Sequence, residues 1–277
     1  MRARTANWFG LVALTLGFGS LYAPIVLLIL YSFNASRLVT VWAGFSTRWY
    51  GALLHDEAFG AAALTSLEVA AMAATLSLVF GTFAGLSMAR IARFPGRLLF
   101  GFALLAPLVV PEVILGLSLL LLFVAGQSWI GWPSRGLLTI TVAHATFGAC
   151  FVSVLVRAQL AGFDLALEEA ALDLGARPWT VLTRITLPGI SPALVSGWLL
   201  AFTLSLDDLV IASFVSGPSA TTLPMAVFSS VRLGVSPEVN ALATLFLCVV
   251  FLLVAFAGWL MARAGRRRQL QQQVRWI

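Results

Sequence analysis

The chain of 277 residues is 60% hydrophobic and 10% charged, with a mean hydropathy of +0.98, which excludes an ordinary soluble domain and indicates a membrane protein with several spans. Its formal net charge is +6, and the positive residues are scattered over the ends of apolar runs, a distribution that argues against a nucleic-acid-binding face. Cys150 and Cys248 both lie inside apolar runs, so the sequence gives no support for disulfides or thiolate metal sites.

Six apolar runs are long enough to cross a membrane, because a hydrocarbon core about 30 Å thick requires roughly 20 helical residues. They lie at about residues 11–33, 62–89, 98–125, 136–156, 189–214 and 241–262. The first run follows Arg2 and Arg4 but is too long for the apolar region of a signal peptide, about 7 to 15 residues, so we expect a retained span. The pattern predicts an all-α polytopic membrane protein with six transmembrane helices, in which residues 1–277 form a single domain.

The arginines predict the orientation of these spans. All 17 positive residues are arginines, and most precede span 1, join spans 2 and 3, join spans 4 and 5, or follow span 6. The exceptions in the alternate loops are Arg37, Arg48, Arg135 and Arg232. Because positive residues are retained on the cytoplasmic side, both termini and the loop at residues 157–188 are predicted to be cytoplasmic.

That long cytoplasmic loop contains a pattern for two helices separated by a glycine. Strong helix formers run from Asp164, a predicted N-cap, to Leu174. Gly175 suits the left-handed residue that follows a helix, and Pro178 suits the first position of a second helix, which we expect Pro188 to end. Such a helix pair suits insertion into a groove of another protein. The alternative is an amphipathic connector that rests on the membrane surface.

Seven residues of this loop follow the spacing E-A-A-x3-G-x9-I-x-L-P. They are Glu169, Ala170, Ala171, Gly175, Ile185, Leu187 and Pro188. This spacing resembles the EAA motif of permeases from ABC importers. The resemblance implies a type I ABC importer permease fold and a coupling role for the loop, which would dock on a separate ATPase subunit.

Three longer stretches, at residues 22–54, 197–218 and 234–245, are similar to the polyamine permeases of this family, and most of all to the second permease subunits of bacterial putrescine importers. The resemblance implies a multi-pass protein of the bacterial inner membrane that moves putrescine or a related polyamine. It also implies the partners: a second related permease in a heterodimer, a cytoplasmic ATPase pair that binds ATP and Mg²⁺, and a periplasmic polyamine-binding protein.

One feature of the sequence agrees with a separate ATPase subunit. A Walker A loop requires its lysine, and the chain contains no lysine. We therefore expect ATP hydrolysis to occur in a partner subunit, and we expect this chain to bind no cofactor or metal and to be no enzyme.

Four acidic residues lie within the predicted spans: Glu68, Glu112, Asp207 and Asp208. An ionisable group in a bilayer is costly, so it normally faces a partner or a hydrated pathway. We hypothesise that Asp207 or Asp208 lines the passage of a cationic diamine, with Glu112 lining it from span 3. Prolines and a glycine around Glu112 favour a break in that span, which would also direct free backbone carbonyls at a cation.

Several alternatives remain open for these residues. Adjacent residues of a regular helix point about 100° apart, so the two aspartates cannot both face one point unless the helix is broken. One of them could instead cap a discontinuous helix, hydrogen-bond to Ser205 or Thr203, or pair with an arginine of the partner permease. His144, a lone polar residue in an apolar run, is expected to hydrogen-bond to a neighbour. The alternative function is a self-sufficient secondary transporter or cation channel that uses the buried carboxylates.

Overall fold

The computed structural model of the chain describes residues 7–37, 41–233, 237–248 and 251–252. The chain divides into a terminal unit, residues 1–57 with 229–277, and a central unit, residues 58–228. Within the described residues all regular secondary structure is helical, apart from one isolated β-bridge between Asn34 and Phe45. The fold is therefore all-α, as the composition predicts.

The helices follow one another closely along the chain. The first group contains α1 (Asn7–Ser32), α2 (Arg48–Leu54), α3 (Glu57–Arg90), α4 (Arg97–Val109), α5 (Glu112–Ile130) and α6 (Leu137–Ala161). The second contains α7 (Ala166–Asp173), α8 (Pro178–Val181), a π-helical turn (Leu182–Thr186), α9 (Leu187–Gly189), α10 (Ser191–Asp207), α11 (Val210–Val215), α12 (Leu223–Leu233) and α13 (Pro237–Cys248).

Four of the described helices are long and apolar enough to cross a membrane: α1, over Gly10–Ser32, and the whole of α3, α5 and α6. A fifth span arises if the helices over Pro178–Gly189 and Ser191–Asp207, which are bent by 70° relative to each other, are taken together. The sixth predicted span, residues 241–262, lies largely outside the described residues. The helices are thus in accord with six spans.

Two predicted spans are interrupted. Span 3 is divided into α4 and α5 by Val110 and Pro111, whose extended backbone angles separate the two helices. Proline disfavours helical geometry in the residue before it, so Pro111 accounts for this break. Span 5 is divided into α10 and α11 at Asp208 and Leu209, because Asp208 has extended backbone angles of φ −67° and ψ 124°.

Helix α6 lies in the core of the central unit. Its residues Ile140, Ala143, Val152 and Val156 are fully buried, and α6 packs against α4, α5, α10 and α11. Helix α3 approaches α6 closely at Gly81, where an added Cβ would lie 2.6 Å from the Cβ of Val152. Small residues permit such close helix packing where no hydrophobic driving force exists between helices.

In the terminal unit, Asn34 organises the chain that follows α1. Its side-chain oxygen accepts a hydrogen bond from the backbone N–H of Ala43 at 3.0 Å, and its side-chain nitrogen donates to the carbonyl of Val41 at 2.7 Å. The indole N–H of Trp49 donates to the backbone carbonyl of Asn34 at 2.7 Å. These bonds link the end of α1 to α2.

Candidate functional site

The long loop at residues 157–188, which the sequence predicts to be cytoplasmic, folds as a helix, a glycine turn and a second helix. The Asp164 carboxylate accepts a hydrogen bond from the N–H of Ala166 at 3.0 Å, the type of contact expected of a capping residue, and regular helix begins at Ala166. Gly175 has a φ of +85°. Its N–H donates to Leu172 at 2.9 Å, and the N–H of Ala176 donates to Ala171 at 3.0 Å, which together form a Schellman motif. The glycine stop predicted from the sequence is confirmed.

The second helix begins at Pro178, as predicted, but the prediction that Pro188 ends it is wrong. The chain widens into a π-helical turn and then continues through Pro188 to Gly189. In this turn the N–H of Leu187 bonds to the carbonyl of Leu182, five residues earlier. We attribute the continuation to this wider turn, because a proline in a regular α-helix would clash with the carbonyl four residues before it.

Glu168 anchors the loop to the rest of the central unit. Its Oε1 atom lies 2.8 Å from Nη2 of Arg90, at the end of α3, and accepts a hydrogen bond from the Thr186 hydroxyl at 2.7 Å. The Glu168 side chain is only 16% exposed. Sequence reasoning places Glu168 near the first turn of this helix but assigns it no partner, because Arg90 is 78 positions away.

The motif residues divide into an exposed and a packed group. Glu169, Ala170 and Gly175 are exposed, and the neighbouring apolar side chains Leu174 and Trp179 are 89% and 67% exposed. These five residues define what we call the loop surface.

Two residues near the end of the motif, Ile185 and Leu187, belong instead to the interior side of the loop. Ile185 and Leu187 are half-buried, and Leu187 packs against the core cluster that contains Val156 and Ile190. Ala171 is half-buried, and Pro188 is exposed. One motif therefore contributes both an outward surface and an attachment to the membrane helices.

The two adjacent aspartates occupy different environments at the break between α10 and α11. Asp207 is exposed. The side chain of Asp208 is 8% exposed, and its Oδ1 atom accepts a hydrogen bond from the N–H of Ala212 at 2.8 Å. Asp208 precedes Leu209, the N-cap residue of α11, and satisfies an N–H of the first turn; a capping role for one aspartate is among the alternatives that the sequence left open.

His144 of α6 is the other polar residue at this break. Its Nδ1 atom lies 2.7 Å from the hydroxyl oxygen of Ser205, which confirms that it hydrogen-bonds to a neighbour. Its Nε2 atom lies 3.3 Å from Oδ1 of Asp208, within ion-pair range but outside hydrogen-bond geometry. The sequence predicts a hydrogen-bonding neighbour for His144 and offers Ser205 as an alternative partner of one aspartate. It does not connect the histidine with Asp208.

Glu112 lies at the start of α5, directly after the break in span 3, and is exposed. Helix α5 packs on α11, and an added Cβ at Gly116 would lie 2.7 Å from the Phe214 ring. The two helix breaks therefore belong to neighbouring helices. Glu68 is exposed on α3. Among the described residues, no group of three or more His, Cys, Asp or Glu side chains is placed to hold a metal ion.

Comparison with known proteins connects these features to a family. Residues 77–269 match the family described as binding-protein-dependent transport system inner membrane component. The chain is 60% identical over 259 residues to the putrescine transport system permease protein PotI of Escherichia coli K12, covering 93% of this chain and 92% of PotI. It is 42% identical to the spermidine/putrescine transport system permease protein PotC of the same strain, covering 88% of this chain and 89% of PotC.

Solved structures agree with this assignment at the level of the fold. A bacterial ABC transporter involved in the import of the acidic polysaccharide alginate matches 92% of this chain and 98% of its own, with a TM-score of 0.69 and 22% sequence identity. The MetNI methionine ABC transporter matches 73% of this chain and 93% of its own, with a TM-score of 0.58 and 19% identity. The type I permease fold and the resemblance to polyamine permeases are confirmed, and the chain belongs to the family of inner membrane components of binding-protein-dependent transport systems.

Proposed function

We propose that this chain is a permease subunit of an ABC importer that moves putrescine, or a related polyamine, across the inner membrane. The observation that carries this proposal is the 60% identity to a putrescine transport permease over 93% of the chain. The 42% identity to a spermidine/putrescine permease supports the same class of substrate. Intramembrane carboxylates fit a substrate with two ammonium groups, because they replace part of the hydration that the cation loses.

The importer requires partners under this proposal. A second related permease completes a heterodimer, a cytoplasmic ATPase pair binds ATP and Mg²⁺, and a periplasmic polyamine-binding protein delivers the substrate. The family description, which names binding-protein-dependent transport, supports the delivery step. The chain contains no lysine and hence no Walker A loop, which supports a separate ATPase.

We propose that the loop surface docks on this ATPase. Leu174 and Trp179 are highly exposed. Under this proposal they lie in a cytoplasmic loop, where no lipid covers large apolar side chains. Exposed apolar side chains beside a charged residue, here Glu169, are typical of protein-docking sites. The half-buried Leu187 and the anchored Glu168 provide a firm attachment through which movement of the ATPase would reach the membrane helices.

We place the substrate passage beside the two neighbouring helix breaks. Asp207 and Glu112 are exposed there, whereas Asp208 has its own buried partners. Spaced carboxylates would hold the cation in successive weak sites, since a tight site would trap it.

We also infer that residues 1–277 form a single transmembrane domain whose termini are both cytoplasmic. The arginine distribution supports this orientation. The ion pair between Arg90 and Glu168 adds support, since it joins two connections that the six-span order puts on the same side. Reporter fusions at each terminus test the orientation, and a periplasmic signal from either one contradicts it.

The test of the proposed function is uptake of labelled putrescine into proteoliposomes that contain the purified complex, with the binding protein outside them and ATP available to the ATPase. We expect uptake that requires ATP and binding protein and is reduced by excess unlabelled spermidine. Uptake by this chain alone, without ATP, would favour the secondary transporter or channel. No putrescine uptake under any condition would remove the substrate assignment.

A further inference from the structure

Helix α6 holds the short helix α11 at both of its ends. At the C-terminal end, the Thr139 hydroxyl donates a hydrogen bond to the carbonyl of Val215 at 2.7 Å. At the N-terminal end, His144 contacts Ser205 at 2.7 Å and Asp208 at 3.3 Å. Ser205 belongs to α10 and Asp208 to the break itself, so one histidine connects both sides of the interruption to α6.

The carboxylate of Asp208 is engaged inside the protein. Its Oδ1 atom both accepts the N–H of Ala212 and lies near Nε2 of His144. The side chains of His144 and Asp208 are 2% and 8% exposed. A cation that bound Oδ1 of Asp208 would have to displace these contacts, which would leave an N–H in the first turn of α11 without its acceptor.

Asp207 has the same side chain as Asp208 but a different environment. It is the last residue of α10 and is exposed, and the extended backbone at Asp208 turns the chain before α11 begins. The break therefore gives adjacent carboxylates different surroundings, one internal and one external.

We propose that His144 and Asp208 are positioning residues for transport: they hold the break in span 5, so that Asp207 is the carboxylate of the pair that is presented to the transported cation. This inference rests on the proposed function for the identity of the cation. It concerns two residues whose side chains are largely buried, whereas Asp207 is exposed. Burial of a carboxylate is tolerated where polar partners surround it; here the N–H of Ala212 donates to Oδ1 of Asp208, and the His144 imidazole lies 3.3 Å from the same atom.

Uptake of labelled putrescine by the reconstituted complex tests the assignment through matched variants. Asp207→Asn should reduce uptake substantially, up to the roughly hundredfold loss that a 1 Å misplacement of a reacting group can cause. Asp208→Asn should retain uptake within a few-fold, because the asparagine oxygen still accepts the N–H of Ala212. His144→Leu should reduce uptake as strongly as Asp207→Asn, whereas His144→Gln, whose amide nitrogen can approach Asp208, should retain most of it.

The double variant His144→Leu/Asp208→Asn provides the rescue. It removes the buried charge that His144→Leu alone leaves without its partner, so we expect it to transport better than the single variant. All uptake rates are normalised to assembled complex and compared with basal ATP hydrolysis, so that a failure to fold is separated from a loss of positioning.

A second measurement does not depend on the substrate. In a background with Cys150→Ala and Cys248→Ala, we would replace Asp207 or Asp208 by cysteine in the whole complex and measure reaction with a small cationic thiol reagent. We expect position 207 to react faster than position 208, because exposed cysteines react and buried ones are inert. His144→Leu should change the rate at position 207 several-fold, and His144→Gln should not.

Some outcomes would overturn the proposal. Equal reactivity at positions 207 and 208, or an Asp208→Asn loss equal to that of Asp207→Asn, would make Asp208 a contact of the cation itself. Normal uptake in His144→Leu or Asp207→Asn would also exclude the assigned roles. If the wild-type complex took up no putrescine but the thiol pattern held, the substrate assignment would fail while the positioning of the break by His144 would stand.

Discussion

Arg90 and Glu168 form an ion pair of 2.8 Å that joins the end of α3 to the first turn of α7. The two side chains are 25% and 16% exposed, so the pair is less screened than one on an open surface. The Thr186 hydroxyl bonds to the same carboxylate oxygen. Glu168 therefore connects the loop at residues 157–188 both to α3 and to the π-helical turn that leads into α10.

We predict that Glu168→Gln weakens the coupling between ATP hydrolysis and transport. The amide keeps the size of the side chain and a hydrogen bond to Thr186 but loses the ion pair, so the loop surface would move less firmly with α3. We expect uptake to fall several-fold while ATP hydrolysis by the assembled complex persists, which is measured as substrate transported per ATP hydrolysed. Asp173→Asn removes one exposed carboxylate of the same helix and is the matched control.

Exchange of the two charges tests whether the ion pair itself is responsible for the coupling. Arg90→Glu alone places two carboxylates together and should be the most damaging variant, while Arg90→Glu with Glu168→Arg restores opposite charges. Partial recovery in the double variant is expected from a direct pairing. Equal loss in the single and double variants would argue that the positions matter for packing rather than for the ion pair.

Substitution of Gly175 should destabilise the loop. Its φ of +85° is in the left-handed region, yet an added Cβ would meet nothing within 4 Å. The penalty for Gly175→Ala is therefore conformational, about 1 to 2 kcal/mol, and Gly175→Asn should cost less because asparagine tolerates this geometry better. ATP-driven uptake at rising temperature should decline in the order glycine, asparagine, alanine. A reversed order of the two variants would show that side-chain size at the docking surface matters more than backbone strain.

The loop surface provides a prediction about assembly. Leu174 and Trp179 are 89% and 67% exposed, so Leu174→Ser and Trp179→Ser leave few contacts unmade within this chain. If the surface docks on the ATPase, each change should weaken retention of the ATPase during purification about tenfold, or roughly 1.4 kcal/mol. Leu165→Ser, at a 49% exposed position of the same loop outside the defined surface, is the control. Unchanged retention in both surface variants would require a different docking site.

Local rules predicted much of this protein. Apolar runs predicted the membrane helices, Pro178 predicted a helix start, and Gly175 predicted a helix end with the correct left-handed backbone. These features depend on a few neighbouring residues, so they can be read from the sequence. The break in span 3 was also expected, because Pro111 restricts the residue that precedes it.

Contacts over long sequence distances could not be predicted in the same way. His144 and Asp208 are 64 positions apart, and Arg90 and Glu168 are 78 apart; nothing in either local sequence specifies the partner. The error at Pro188 has a different origin. The rule that proline ends a helix assumes α-helical hydrogen bonds. The turn before Pro188 is π-helical instead, so the rule does not apply there.

The contact between α3 and α6 leads to a prediction about stability. An added Cβ at Gly81 would lie 2.6 Å from Cβ of Val152 and 2.7 Å from the carbonyl oxygen of Ala149. Neither atom belongs to the far end of a flexible side chain, so Gly81→Ala must separate the helices. Such overpacking typically costs about 1 to 3 kcal/mol, and we expect a lower melting temperature in detergent or nanodiscs.

Gly60 is the matched control for this substitution. It lies on the same helix, but an added Cβ would meet nothing within 4 Å. Alanine has a higher helix propensity than glycine, by about 1 kcal/mol, so Gly60→Ala should leave the melting temperature unchanged or raise it. The same chemical change thus has opposite expected effects at two positions of α3. If Gly81→Ala proved as stable as Gly60→Ala, the close approach of α3 to α6 would have to be smaller than the structure indicates.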